Sequence, residues 1–203
     1  WEHFCHVMGR KVGLNVAETR TIDGEDYHVL LSKRFDRNDS GKRIHFASAL
    51  TLLGLTDGDN ASTGYGYTDI VDFILQHGSN VERNLEELYR RLAFYIIVGN
   101  SDDHFRNHGF LLTRKGWELS PAYDINPTLA DNQSLLINRS TSESDLNILL
   151  ASAGDYLLSA EKAKSIINEV KTVMELWRSE ACKLGVPQRD IDMFAPRFDK
   201  WIE

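Results

Sequence analysis

"VGNSDDHFRNHGFLL", residues Val98 to Leu112, is the stretch on which the reading of this chain turns. Two aspartates, two histidines, two asparagines and an arginine stand between an apolar helix end and an apolar run suited to a strand. So much polarity beside a core marks either a solvated loop or a place where chemistry is done.

The residues before it, Val81 to Val98, carry Leu85, Leu88, Leu92, Tyr95 and Ile96 at helical spacing, so a long amphipathic helix delivers the chain into the motif. After it, "FLLTRKGWEL" reads as a short hairpin turning at Lys115-Gly116, and "SPAYDINPT" then presents Asp124. Within the motif Asp102 is followed by four residues and then Asn107, a D-x-x-x-x-N spacing. That spacing alone is common. A helix, an aspartate loop, an asparagine five positions on, a hairpin and a second aspartate, in that order, is the arrangement of the catalytic half of a protein-kinase-like phosphotransferase.

The chemistry explains the residue types. Phosphoryl transfer from ATP needs the attacking hydroxyl oriented and the phosphate charge neutralised by magnesium. Asp102 would accept the hydroxyl proton, while Asn107 and Asp124 would offer the hard oxygen donors that Mg²⁺ prefers. His104 either braces the loop by a hydrogen bond or acts directly, and Arg106 is placed to contact phosphate. Asp103, adjacent to another aspartate, is expected to be solvated or capping rather than catalytic. A competing site would be a zinc or two-metal hydrolase built from Asp102, Asp103, His104, His108 and Asp124, although no established ligand spacing such as HExxH supports it.

The whole chain bounds the answer. Its 203 residues, 42% hydrophobic, can bury one substantial core or two small lobes. A net charge of −7 argues against a general nucleic-acid binder. Cys5 and Cys182 lie at opposite ends without metal-ligand spacing and read as two reduced thiols. No run approaches the ~18 consecutive apolar residues of a membrane span and no signal peptide opens the chain, so the expectation is a cytoplasmic protein without membrane contact. Trp1 stands inside a helical pattern, and further residues are expected upstream of it.

Elsewhere, a helix is expected to Val12, ended by Gly13, and two β-leaning runs then flank Asp23 and Gly24. Helices are expected over 42–54 and over 68–78, the latter with Thr68 and Asp69 offering cap oxygens and Gly78 a stop. The intervening "TDGDNASTGYGYT" reads as a polar loop, its "STGYGYTD" end as a flexible surface loop. Helices over 146–153, 159–184 and 188–202 complete the C-terminal third. The serines and threonines of "LLINRSTSESDLN" form either an activation segment or a polar loop capping the next helix.

With these residues in view, "VGNSDDHFRNHGFLL" and "WELSPAYDINPT" resemble the HipA family of bacterial toxin kinases, which shares its D-x-H-x-x-N loop with phosphatidylinositol-kinase-like enzymes. "WEHFCHVMGRKVGLNVAET", "LLSKRFDR" and "LSAEKAKSIINEVKTVMELW" extend the likeness over nearly the whole chain, the two loop motifs being its specific part. The resemblance implies an α+β, protein-kinase-like fold, with residues 1–37 as part of a mixed N-lobe (helix, hairpin and hinge strand) and residues 38–203 as a mostly helical C-lobe. It implies Asp102 as proton acceptor, Asn107 and Asp124 as Mg²⁺ ligands, and ATP as cosubstrate. Lys33, Arg34 and Phe35 then fall on the hinge that grips adenine through its backbone, Lys33 replacing the family's glutamate. His104, Phe105, Arg106 and Tyr123 complete the residues expected around the nucleotide.

The family's Gly-rich loop and phosphate-holding strand lysine are not found in this sequence. They lie upstream of Trp1, reside on a separate N-lobe polypeptide, or are lost. The resemblance further implies a HipB-like antitoxin as partner, operator DNA engaged through it, and a protein substrate from translation such as an aminoacyl-tRNA synthetase. The alternative from another class is a catalytically silent module of the same fold that binds an antitoxin and DNA complex.

Overall fold

The computed structural model describes residues 1–24 and 27–202. The chain opens with helix α1 (Glu2–Lys11), stopped by Gly13 at φ 85°. Strands β1 (Thr19–Asp23) and β2 (His28–Ser32) follow as an antiparallel hairpin. The two expected strands are present and pair with each other, and residues 25 and 26 between them lie outside the described residues.

Two expectations fail next. The hinge segment Lys33 to Arg37 is not a strand: β2 ends at Ser32, residues 35–36 bend, and Arg37 makes an isolated bridge to Arg43. The bend closes because Ile44 donates its N–H to the Asp36 carbonyl at 2.9 Å while Arg34 and Arg37 converge on the Asp36 carboxylate. The helix expected over 42–54 is only α2 (Ala49–Leu52), preceded by strand β3 (Phe46–Ser48). Backbone pairing with a strand more than sixty residues away overrides the local helical spacing there.

Helix α3 (Tyr67–His77) has Gly66 rather than Thr68 at its N-cap, and Asp69 reaches back to accept the Gly66 N–H at 2.7 Å. The segment before it is not a flexible loop. Ala61, Tyr67 and Leu136 donate their N–H groups to Ser134, Leu136 and Tyr65, which zips residues 61–67 against 134–136. A Cβ on Gly66 would sit 2.3 Å from the Leu136 carbonyl oxygen, so that close approach requires glycine.

Helix α4 (Val81–Val98) is the axle of the molecule. Leu85, Leu88, Leu92, Tyr95 and Ile96 are buried as their spacing indicates, and its last turn is buried on every side. Strands β4 (Gly109–Thr113) and β5 (Gly116–Leu119) form the expected hairpin, with β3 on the far side of β4. The C-terminal third is helical: α5 (Leu146–Ala151), α6 (Ala160–Met174), α7 (Trp177–Lys183) and α8 (Gln188–Asp199). The single long helix expected over 159–184 is divided by a tightened turn, Leu176 N–H to Val173 carbonyl, after which Trp177 is fully buried edge-on to Phe198. Asp145 caps α5 by accepting the Asn147 N–H at 2.6 Å.

The core runs without interruption from Phe4 and Met8 of α1 through α4 to Phe198 of α8. Helix α1, although it precedes the hairpin, therefore shares the helical core. Cys5 and Cys182 are both unpaired, and burial pushes the Cys5 thiol up to about 12. Among the described residues no helix is long and apolar enough to cross a membrane.

Candidate active site

Helix α4 stops at Gly99, which takes φ 70° and lets the chain turn back on the helix end. A Cβ there would meet the Thr128 carbonyl oxygen at 2.5 Å. Gly99→Ala is therefore expected to destabilise the protein by about 1–3 kcal/mol, through left-handed strain and that contact. A urea midpoint equal to wild type would contradict the geometry.

The turn brings the two polar motifs together. Thr128 donates its N–H to the Gly99 carbonyl at 2.8 Å, and Asn126 donates its N–H to the Asn100 side-chain oxygen at 2.9 Å. The Ser101 and Thr128 hydroxyls bond to each other. Residues just before Asp102 are thus fastened to residues just after Asp124. Asn100 and Asn126 do this joining, and sequence reasoning passed over both.

Between these ties the loop alternates: Ser101 inward, Asp102 outward, Asp103 inward. Asp102 is exposed and borders a cavity of about 150 Å³ lined also by Asp57, Asn60, His104, Arg106 and Ser134. The Asn107 amide nitrogen donates to the Asp102 carbonyl at 3.4 Å, which leaves its oxygen available as a donor to a cation. His104 braces the loop through its backbone, donating to the Asp102 carbonyl and accepting from the Asn107 N–H. Asp103 instead lies 1% exposed, its Oδ2 accepting from the Tyr67 hydroxyl and facing His108 Nε2, each at 2.7 Å.

Asp124 stands at φ 55°, a conformation that costs a residue with a side chain about 1–3 kcal/mol unless its surroundings impose it. Its Oδ1 accepts from the Asn126 amide at 3.0 Å, and its carboxylate is otherwise exposed. Backbone strain of this kind collects at functional positions. An amide oxygen and an exposed carboxylate form a donor set of the hard kind that suits Mg²⁺. The zinc or two-metal arrangement is not formed: Asp103 and His108 are buried against each other, and among the described residues no three His, Cys, Asp or Glu side chains gather to hold a metal.

Around Asp124 the chain builds an aromatic flank. Phe35 lies 5.6 Å from Tyr123 and 5.7 Å from Phe46, centroid to centroid. Tyr123 also donates its hydroxyl to the Arg106 carbonyl at 2.5 Å, tying this flank to the loop. Phe46 was hidden by the expected helix. It is held close by Gly109, where a Cβ would lie 2.3 Å from its ring. Phe105 is a core residue at 1% exposure, and Arg106 turns outward to pair with Asp57.

Lys33 donates its N–H to the Glu18 carbonyl at 2.8 Å and its ammonium lies 3.3 Å from the Glu18 carboxylate. Arg34 grips Asp36 with two donors, at 2.8 and 2.6 Å, and holds the Asp36 carboxyl down at about 2. Because its folded value lies below the ordinary value of about 4, this contact contributes above that range and is lost as pH falls through the folded value. The Asp36 carboxyl carbon is expected to titrate near pH 2 by NMR, and a midpoint near 4 would show the grip to be absent in solution.

A family model described as the HipA-like C-terminal domain matches residues 1–177. The serine/threonine-protein kinase toxin HipA of Shewanella oneidensis is 27% identical over 135 residues, covering 58% of this chain and 31% of that protein. Four curated relatives with which the chain aligns are matched over between 31% and 53% of their own length. Among solved structures, HipA in the Shewanella oneidensis MR-1 complex of HipA, HipB and operator DNA superposes over 99% of this chain and 53% of its own, with a TM-score of 0.79 at 17% identity. The Helicobacter pylori proinflammatory kinase CtkA superposes over 91% of this chain and 86% of its own, with a TM-score of 0.55 at 15% identity. The fold is accordingly α+β and kinase-like.

Proposed function

The chain belongs to the HipA-like C-terminal domain family, and from that membership we propose that it is the catalytic half of a serine/threonine kinase that transfers the ATP γ-phosphate to a protein hydroxyl. The observation that carries this reading is the fastening of residues 99–101 to residues 126–128, which holds the Asp102 loop beside the Asp124 segment. A phosphotransferase needs its proton acceptor and its metal ligands kept together in this way, because positioning and charge neutralisation are most of its catalysis.

Asp102, exposed at a cavity, accepts the proton of the incoming hydroxyl. The Asn107 amide oxygen and the Asp124 carboxylate hold Mg²⁺. Bound Mg-ATP supplies the phosphoryl group and the cation that offsets its charge. Phe35, Phe46 and Tyr123 offer adenine an apolar flank. Since the Lys33 N–H is already engaged by Glu18, hinge contacts fall to the Arg34 and Phe35 main chain. Arg106 leaves Asp57 to meet phosphate, and His104 keeps the loop closed.

The toxin name of one relative, and the HipB and operator DNA in a related complex, support a role as the toxin of a toxin–antitoxin pair. The antitoxin partner would be HipB-like, with DNA reached through it, and the substrate a translation protein such as an aminoacyl-tRNA synthetase. The setting is cytoplasmic.

Incubating the intact protein with γ-labelled ATP, Mg²⁺ and a bacterial extract tests the activity. Label is expected on serine or threonine of a protein, and far less of it when Asp102→Asn replaces wild type. Equal labelling by both would remove the reading, and nucleotide binding without labelling would favour the silent module.

A further inference from the structure

We infer that the buried trio Tyr67, Asp103 and His108 positions the catalytic loop so that Asp102 faces the cavity for phosphoryl transfer; the inference rests on the kinase reading above.

The trio spans the loop at the points that matter. Asp103 directly follows the proposed proton acceptor and His108 directly follows the proposed metal ligand. Their 2.7 Å contact closes a six-residue span, with 1% and 0% of the two side chains exposed. Asp103 is buried while its neighbour Asp102 is exposed at the cavity, and the His104 N–H closes a tight turn onto the Asp102 carbonyl, so holding Asp103 inward fixes the side to which Asp102 faces. His108 is fixed in turn, since its carbonyl accepts the Ala49 N–H at 2.7 Å and β4 begins at the next residue.

Tyr67 adds a link that a simple pair would lack. Its hydroxyl donates to Asp103, its ring stands edge-on to the His108 ring at 5.6 Å, and its backbone N–H donates to the Leu136 carbonyl. Burial first, and the Asp103 charge second, push the Tyr67 hydroxyl well up, so it remains a donor. Ser134, two residues before Leu136, donates its N–H and its hydroxyl to the Ser101 carbonyl. The first residue of α3, the 134–136 segment and both ends of the catalytic loop therefore form one hydrogen-bonded unit.

Stability alone is a poor account of this trio. A buried ionisable pair repays little of its desolvation, and apolar side chains of similar volume serve a core as well or better. Asp103 Oδ1 is moreover buried without a hydrogen-bond partner among the described residues, which adds a cost. Orientation of the adjacent Asp102 is what the arrangement supplies.

Tyr67→Phe removes only the hydroxyl and is the direct test in the intact protein, with labelled γ-phosphate transfer as the rate and calorimetry with Mg-ATP as the binding measure. Transfer is expected to fall about 10- to 100-fold, the effect of a misplaced catalytic group, with Mg-ATP affinity unchanged. On the residual rate of Asp102→Asn the same change should have almost no further effect, because a residue that acts through Asp102 loses its influence once Asp102 is replaced. His108→Leu should lose as much as Tyr67→Phe, and His108→Gln, which keeps a side-chain N–H, should recover part of that loss. Wild-type transfer by Tyr67→Phe, an equal fall in both backgrounds, or a fall matched by lost ATP binding and a lowered melting temperature would each overturn the inference. Wild-type transfer by Asp102→Asn would instead overturn the kinase reading and this inference with it.

Discussion

Replacing Asp102 by asparagine is expected to lower phosphoryl transfer by about 10²–10⁴-fold, the usual loss when a positioned acid–base group is removed. The side chain is exposed and no side-chain hydrogen bond or ion pair ties it to the described residues, so the folded state should be nearly unaffected. Asparagine keeps the shape and can still orient a hydroxyl, but it cannot take the proton. Mg-ATP affinity should be retained, because the proposed metal ligands are Asn107 and Asp124. Single-turnover transfer beside a urea titration separates the effects: a slow variant with an unchanged midpoint fits, and unchanged turnover removes Asp102 from its role.

Asp124→Ala should weaken Mg²⁺-dependent nucleotide binding by about 10- to 100-fold or more, since even residues that merely orient a metal ligand carry that much. Here a stability effect must be told apart. Asp124 sits at φ 55°, where alanine is strained by about 1–2 kcal/mol and glycine is not. Asp124→Gly should therefore match wild type or exceed it in stability while losing magnesium-dependent binding as fully as Asp124→Ala. Binding restored in the glycine variant would assign the loss to backbone strain and take the metal-ligand role from the carboxylate.

Much of the architecture is legible from periodicity. Helix α4 begins and ends where its Leu85, Leu88, Leu92 and Tyr95 spacing places it, and the hairpin after the motif is formed, its turn at Arg114-Lys115 falling one residue before the expected Lys115-Gly116. What stays hidden is what distant partners decide. Phe46 to Ser48 look helical because the residues around them repeat at three and four, yet they pair with Phe110 and its neighbours as a strand. Glycines 64 and 66 look like a mobile loop, yet Gly66 is pressed on Leu136.

The candidate site divides along the same line. Asp102, Asn107 and Asp124 are visible because their chemistry and order are specific. Asn100 and Asn126, which join the two motifs, offer no signal, since a side-chain bond across twenty-six residues leaves no period in the sequence. Asp103 and His108 read as spare polar residues until Tyr67, thirty-six residues upstream, is seen to complete them.

Titrating ATP into the intact protein in a calorimeter, with and without Mg²⁺, is the most direct test of the central claim. Saturable binding at one site, dependent on Mg²⁺ and sharply weakened by Asp124→Ala, is the result expected of a kinase site built on Asp102, Asn107 and Asp124. No heat of binding under either condition would contradict it.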